Sequence, residues 1–430
     1  MTEALRVGVA GLGTVGAGLI RLLQTHADMI TARAGRPLTV TAVTARERNR
    51  DRGVDLSAYR WCDTAEELAT ADDVDIVVEL MGGSEGPARA LVQAALAAGR
   101  PVVTANKALL AEHGNELAAL ADANDAALGF EAAVAGGIPV IKALKEGLSG
   151  NALFRVYGIL NGTCNYILTE MRTTGRDFDD VLKEAQDLGY AEADPTFDVD
   201  GIDAAHKLAL IAAIAFGRPV DFAAVQVEGI REISATDIAY AEEFGFRIKL
   251  LGLAEREGER IIQRVHPCLV RSETPIAKVD GVFNAVVAEG DFVGRTVFEG
   301  PGAGGGPTAS AVAADLIDIA AGRRSPVFGI PANRLDTTAA PGSDEPHGRF
   351  YIRLRVQDRP GVIADLAAIL RDNTISIESL LQRGDREGGS VPIVLICHDA
   401  PETRVLGALE KIGAMSSVME KPHMIRIKDL

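Results

Sequence analysis

Five carboxylates and one ammonium crowd into residues 189–207, GYAEADPTFDVDGIDAAHK: Glu192, Asp194, Asp198, Asp200 and Asp203, followed by Lys207. Such a set can bind a metal, line a solvated turn, or form a substrate site around a cation. A calcium loop fails on spacing, because the first ligand position falls on Thr196 and the position that needs a bidentate glutamate falls on Lys207. Asp194-Pro195 starts a turn, and Asp198 or Asp200 can cap a helix that begins near Gly201. Asp203 and Lys207 are four apart and share one helical face. The LALIAAIAFG that follows is almost wholly apolar, which buries that helix and makes it a poor home for an idle ion pair. The balance favours a site built around a cation.

A second constellation lies at the start of the chain. The apolar run RVGVA enters Gly11-Leu12-Gly13-Thr14-Val15-Gly16, and a helical pattern with Leu19, Ile20, Leu22 and Leu23 follows. In a strand-turn-helix unit the first glycine makes the tight turn, the second admits a pyrophosphate, and the third lets helix and strand pack closely. The phosphate then rests on the helix N-terminus. Further strands are expected at 38–45, 75–80 and 101–106, with helices such as PARALVQAALAAG between them. At the end of the second strand, Thr44-Ala45-Arg46-Glu47-Arg48, an arginine accommodates the 2′-phosphate of NADP and a carboxylate the ribose hydroxyl of NAD. Arg46 favours NADP(H) over NAD(H), with Arg48 as a second candidate and Glu47 pulling the other way.

The whole chain frames these elements. Its 430 residues suffice for two or three domains, and 47% hydrophobic with 24% charged residues is a globular composition. No apolar run reaches the ~20 residues that span a bilayer, and the N-terminus has no basic segment before its apolar run. A formal charge of −16 disfavours nucleic acid and anionic membranes as partners. Cys62, Cys164, Cys268 and Cys397 are isolated, without metal-binding or disulfide spacing, as expected in a reducing cytoplasm. Small-molecule chemistry is the expected work.

The expected fold class is α/β, with a Rossmann-like dinucleotide-binding domain over 1–135 that a returning helix near 305–323 completes. An α+β substrate-binding catalytic domain is expected over 136–304, and a proline- and glycine-rich linker over 331–348. Residues 349–430 then run strand, helix, two strands, helix, strand, the βαββαβ order of a ferredoxin-like module.

The run from Ala185 through Gly189, Asp194-Pro195, Asp198, Gly201 and Asp203 to Lys207 resembles the homoserine dehydrogenase signature at every defined position. The resemblance extends to the glycine turn, to Thr104-Ala105-Asn106-Lys107, FEAAVAGGI, Asn161-Gly162-Thr163 and GPGAGGGPTA, and the last module resembles an ACT domain. It implies interconversion of L-homoserine and L-aspartate 4-semialdehyde with a nicotinamide cofactor, on the route to threonine, isoleucine and methionine. By the same resemblance Lys207 is the proton donor, with Asp203 and Lys107 beside it. Glu192 binds the substrate amino group, with Asp198, Thr163 and Tyr190 as further substrate contacts. Thr104, Lys107 and Gly302 join Gly11, Gly13, Thr14, Val15, Gly16 and Arg46 at the cofactor. It also implies a sodium ion held largely by backbone oxygens of Glu131, Val134, Gly136 and Ile138, a homodimer or homotetramer, and an amino-acid effector at the ACT module, threonine being the expected one. Two rivals stand beside it: an aldehyde dehydrogenase that uses Cys164 as nucleophile and His206 as base, and a non-catalytic NADP sensor, which intact Lys107 and Lys207 disfavour.

Overall fold

A computed structural model describes residues 3–338, 346–383 and 389–430. The expected linker therefore lies partly outside the described residues, at 339–345. The first sheet is wholly parallel, with strands β1 (Leu5–Ala10), β2 (Leu38–Thr44), β3 (Arg60–Trp61), β4 (Ile76–Glu79), β5 (Val102–Thr104) and β6 (Leu128–Gly129) in the order β3-β2-β1-β4-β5-β6. Its strands read as continuous β-branched runs because helices cover both faces; Val7, Val9, Val77, Val78, Val102 and Val103 are fully buried. The strand order reverses between β1 and β4, and there the carboxyl ends open a crevice. Helix α1 (Thr14–Thr25) follows β1, and α2 (Lys107–Ala123) follows β5.

The second sheet is mostly antiparallel. It includes β7 (Leu153–Ile159), β8 (Gln226–Val227), β9 (Phe246–Glu257), β10 (Arg260–Arg271), β11 (Phe283–Gly290) and β12 (Gly294–Pro301). Helices α3 (Gly162–Thr174), α4 (Ile202–Phe216) and α5 (Ala235–Glu243) accompany it. Nearly all of α4 is buried, as its apolar sequence requires. Helix α6 (Gly305–Ala320) then returns to pack on α1, with Gly18 and Gly305 in close backbone approach.

The chain closes with β13 (His347–Gln357), α7 (Val362–Asp372), β14 (Ile377–Gln382), β15 (Ser390–Pro401), α8 (Glu402–Gly413) and β16 (His423–Lys428), in spatial order β16-β13-β15-β14. That is the expected ferredoxin-like module, but it does not stand apart. Arg426, Ile427 and Lys428 of β16 pair in parallel with Cys268, Leu269 and Val270 of β10, which makes one continuous ten-stranded sheet. Tyr351, Val394, Ile396, Ile425 and Ile427 belong to the same apolar core as α4 and α5. The described end of the linker is also docked: Asp336 N–H donates to Gly217 O (3.0 Å), and Arg218 bonds Thr338 O (2.6 Å). Among the described residues no helix is long and apolar enough to cross a membrane.

Asp237 on α5 fastens this junction. It is fully buried, and its carboxylate takes hydrogen bonds from Tyr351 Oη (3.0 Å) and Arg353 Nε (2.8 Å) on β13, as well as from Ser234, with which it forms a capping box. Burial works to raise its carboxyl, but His423 and Arg353 hold it below the usual carboxylate range. Asp237→Ala removes the buried partner of the Arg353 guanidinium, which keeps the exposed Glu420 (3.5 Å), at a cost of about 3 kcal/mol. Thermal unfolding of the full chain should show the loss, and an unchanged Tm would mean that the junction does not depend on Asp237.

Candidate active site

The first glycine turn has the backbone its role requires. Gly11 has φ +98°, and a Cβ there would approach Leu80 O to 2.5 Å; a Cβ on Gly16 would approach Gly11 O to 2.1 Å. A Cβ on Gly13 would meet nothing within 4 Å, so this side of the turn is open to a ligand. Ala17 N–H makes the first bond of α1, to Gly13 O, and the preceding amides of Thr14, Val15 and Gly16 remain for an anion. The crevice is lined by Gly11, Gly13, Arg46, Glu47, Arg50, Arg52, Asp63 and Met81, among others. Arg48, the second candidate for a 2′-phosphate, is not among them. Its guanidinium lies over Trp61, 5.5 Å from the ring centroid. Arg52 is spent on the carbonyls of Glu47 and Arg50, so Arg46 and Arg50 are the cations left in the crevice without a hydrogen-bonding partner among the described residues.

At the end of β4, Glu79 is fully buried and accepts from Met81 N–H (2.6 Å), Gly82 N–H (3.1 Å) and Thr104 Oγ1 (2.7 Å). The Thr104 hydroxyl is thereby committed to the sheet end, which leaves backbone contact as its route to a cofactor. Asn106 caps α2 through Leu109 N–H and ties it to Gly83 O. Those bonds fix the first turn of α2, where Lys107 sits.

Lys107 reaches the second constellation. Its Nζ lies 3.1 Å from Asp203 Oδ1, while Lys207 Nζ lies 2.7 Å from Asp203 Oδ2, as the four-residue spacing predicts. Lys207 Nζ also donates to Leu160 O (2.7 Å), at the end of β7. Burial works to raise the Asp203 carboxyl, but Lys207 and Lys107 hold it well below the carboxylate range. Asn161 Nδ2 bridges Asp203 Oδ2 and Asp198 Oδ1, at 2.8 Å each. The other acids of the run separate cleanly. Asp200 pairs with Arg231 (2.5 Å), and Asp194 accepts from Thr196 N–H (3.1 Å) in a turn. Glu192 is exposed, with no side-chain partner among the described residues. Thr163 Oγ1 donates to Tyr190 O (2.7 Å), and the Tyr190 ring packs on Tyr166 with centroids 4.9 Å apart. The structure thus joins Lys107, Lys207 and Asp203 directly, links Asp198 to Asp203 through Asn161, and joins Thr163 to Tyr190.

Thiol chemistry finds no support here. Cys164 is buried, its thiol donates to Asp198 O (3.2 Å), and burial raises it well above its ordinary range, away from the thiolate. Burial and Lys107 push His206 down to about 4, and its ring sits between Phe197 and Phe222.

Among the described residues no cluster of three or more histidine, cysteine or acidic side chains is placed to hold a metal. The loop at 131–138 offers backbone instead. Ala135 (φ +54°) and Gly136 (φ +50°) turn it sharply, and the carbonyls of the buried residues Val134 and Gly136 accept no hydrogen bond among the described residues. Oxygens of this kind fit a hard cation. The Glu131 carboxylate is committed to the amides of Ile141 (2.9 Å) and Lys142 (2.8 Å); its carbonyl accepts Val134 N–H (3.4 Å) and that of Ile138 accepts Val140 N–H (2.8 Å), each keeping a second lone pair. Gly302 lies against this loop, its carbonyl 2.5 Å from where a Gly136 Cβ would stand.

Glu79, Asn106 and Asn161 carry much of this geometry without having stood out as site residues. An asparagine immediately before a helix was a readable cap signal at both Asn106 and Asn161; the bonds each makes with its remaining atoms join residues far apart in sequence.

Residues 11–131 match the family model for the homoserine dehydrogenase NAD-binding domain, 139–317 that for homoserine dehydrogenase, and 350–414 that for the ACT domain. Homoserine dehydrogenase of Neisseria gonorrhoeae is 44% identical over 100% of this chain and 99% of its own, and that of Pseudomonas aeruginosa is 45% identical over 100% of both. The crystal structure of a homoserine dehydrogenase from Thiobacillus denitrificans superposes with a TM-score of 0.93 at 46% identity, covering 99% of each chain. A hyperthermophilic archaeal homoserine dehydrogenase in complex with NADPH has a TM-score of 0.64 at 28% identity, covering 74% of this chain and 97% of its own. With the expected signature, the three-part fold and these relatives in agreement, the chain belongs to the homoserine dehydrogenase family, oxidoreductases that act on the CH–OH group of homoserine.

Proposed function

We propose that this chain interconverts L-homoserine and L-aspartate 4-semialdehyde with NADP(H) in preference to NAD(H), in the cytoplasm, on the route to threonine, isoleucine and methionine. The observation that carries this reading is the convergence of two ammonium groups, Lys207 and Lys107, on one buried carboxylate beside the cofactor crevice. The nicotinamide, when bound, supplies or accepts the hydride. As a carbonyl carbon is reduced, negative charge grows on its oxygen; Lys207 stabilises that charge and delivers the proton, and takes it back in the oxidative direction. Asp203 keeps both ammonium groups in place. Asp198, Glu192, Thr163 and Tyr190 hold the amino-acid end of the substrate. A sodium ion on the carbonyls of Glu131, Val134, Gly136 and Ile138 would brace the loop that adjoins Gly302. Lys207→Ala should lower kcat by roughly a hundredfold or more with NADPH affinity nearly intact, whereas Glu192→Ala should act mainly on the homoserine KM. Near-wild-type turnover without Lys207 defeats the assignment.

Arg46 is proposed to hold the 2′-phosphate. Its place in the crevice just beyond β2 supports this, as does the diversion of Arg48 onto Trp61. Arg46→Ala should raise KM for NADP and spare that for NAD, because only the former loses a charge-assisted bond. Equal effects on both cofactors would remove Arg46 from that role.

The C-terminal module is proposed to bind threonine at the turn formed by Asp358, Arg359, Pro360 and Gly361, within a homodimer or homotetramer. In support, that turn joins β13 to α7, and the module shares sheet and core with the catalytic part, so a ligand there has a rigid route to the site. Turnover measured at millimolar threonine should fall in the wild type and hold in Asp358→Ala. Equal inhibition of both proteins would mean that threonine competes with homoserine at the active site.

A further inference from the structure

Asn161 stands where β7 gives way to α3, 4% exposed, with both amide hydrogens and one lone pair of the amide oxygen in use. Its Oδ1 accepts from Cys164 N–H (2.8 Å), capping α3. That bond decides which way the carboxamide faces: the reverse orientation would set its oxygen against two carboxylates and its NH₂ against an N–H. The two N–H bonds therefore point at Asp198 Oδ1 and Asp203 Oδ2. The preceding residue, Leu160, receives Lys207 Nζ on its carbonyl. Two consecutive residues thus hold the anions and the cation of the cluster from one point of the backbone.

We infer that Asn161 is a positioning residue for the reaction: its fixed carboxamide keeps Asp198 and Asp203 side by side as carboxylates, in register with Lys207. The inference rests on the reaction centre proposed above. Asp198 needs such a donor more than Asp203 does. Asp203 has an ammonium group on each oxygen, whereas the hydrogen bond that Asp198's carboxylate receives comes from Asn161. The charged groups that bear on Asp198 are Asp203 and Lys207 of α4 and Lys107 of α2; Asp200, on the adjoining turn, is already paired with Arg231. Cys164 of α3 donates its thiol to the Asp198 carbonyl. Burial raises the Asp198 carboxyl, and the Asn161 bond is the largest influence opposing it. Without that bond Asp198 takes up a proton more readily and ceases to attract a substrate ammonium, and Asp203 loses its tie to Asp198.

Asn161→Ser and Asn161→Asp separate this role from helix capping, because serine and aspartate cap about as well as asparagine. A cap alone predicts that both variants behave as the wild type. The positioning role predicts a fall in kcat/KM for homoserine of roughly ten- to a hundredfold in Asn161→Ser, expressed in KM and kcat together. It predicts a larger fall in Asn161→Asp, which sets a third carboxylate against the other two. It also predicts that the acid limb of the kcat/KM profile moves to higher pH, since loss of a donor to the charged form raises a carboxyl, while NADPH affinity holds. Wild-type kcat/KM in Asn161→Asp with an unmoved acid limb overturns the inference. If that variant does not fold, the pH profile of Asn161→Ser decides in the same way. A wild-type chain unable to oxidise homoserine defeats the reaction assignment along with it, a result distinct from an active wild type with indifferent variants.

Discussion

An ionised carboxylate removed from water is the constraint around which the catalytic half is arranged. Asp203 is 5% exposed and stays charged because an ammonium group faces each of its oxygens and an amide reaches one of them. An isolated buried charge is costly, and removing either partner of such a pair leaves the other uncompensated. The three elements that supply the partners, the first turn of α2, the end of β7 and helix α4, are therefore bound to meet at one point. Lys107 comes from the nucleotide-binding sheet and Lys207 from the substrate-binding part, so the same electrostatic requirement that sustains the site also closes the two halves on each other. The proposed reaction, a hydride passing from a nucleotide on one half to a substrate on the other, would need that registration.

Below this cluster lies a set of polar groups with no direct part in chemistry. Glu79 gathers the loop after β4 and the hydroxyl at the end of β5, and Asn106 continues the chain of bonds into the cap of α2. Each is buried and satisfied, and such networks give geometric definition that apolar packing alone does not. They explain how a three-residue strand, β5, can aim a lysine accurately.

Much of this was legible from the residues themselves. The glycine turn, the alternation of strands and helices up to residue 129, the ion pair on α4 and the βαββαβ order at the end all follow from local pattern, because each is a relation among residues near one another in the chain. The five acids of residues 189–207 could not be sorted that way. Asp198 and Asp200 look equivalent in sequence, yet one turns inward to Asn161 and the other outward to Arg231, a difference set by groups more than thirty residues off. Arg46 and Arg48 posed the same difficulty: neighbours in sequence, one lines the crevice and the other lies over Trp61. The run of proline, glycine and small polar residues after Pro331 pointed to a linker before a third domain; the pairing of β16 with β10 is invisible to composition because strand partners carry no mark of each other.

That pairing has a consequence for how the chain is made. β8 and β16 share one edge of β10, opposite residues 264–265 and 268–270 respectively. β8 comes from just upstream, whereas β16 leaves the ribosome roughly 150 residues after β10, about 8–30 s later at ordinary rates of synthesis. For that interval β10 presents open backbone donors and acceptors, the kind of edge that recruits foreign strands. Asp237 waits over the same period for Tyr351 and Arg353. The sheet is finished only once β16 has been translated, and the chance of mispairing is set by the pace of elongation, a kinetic exposure that the stability of the finished fold does nothing to shorten.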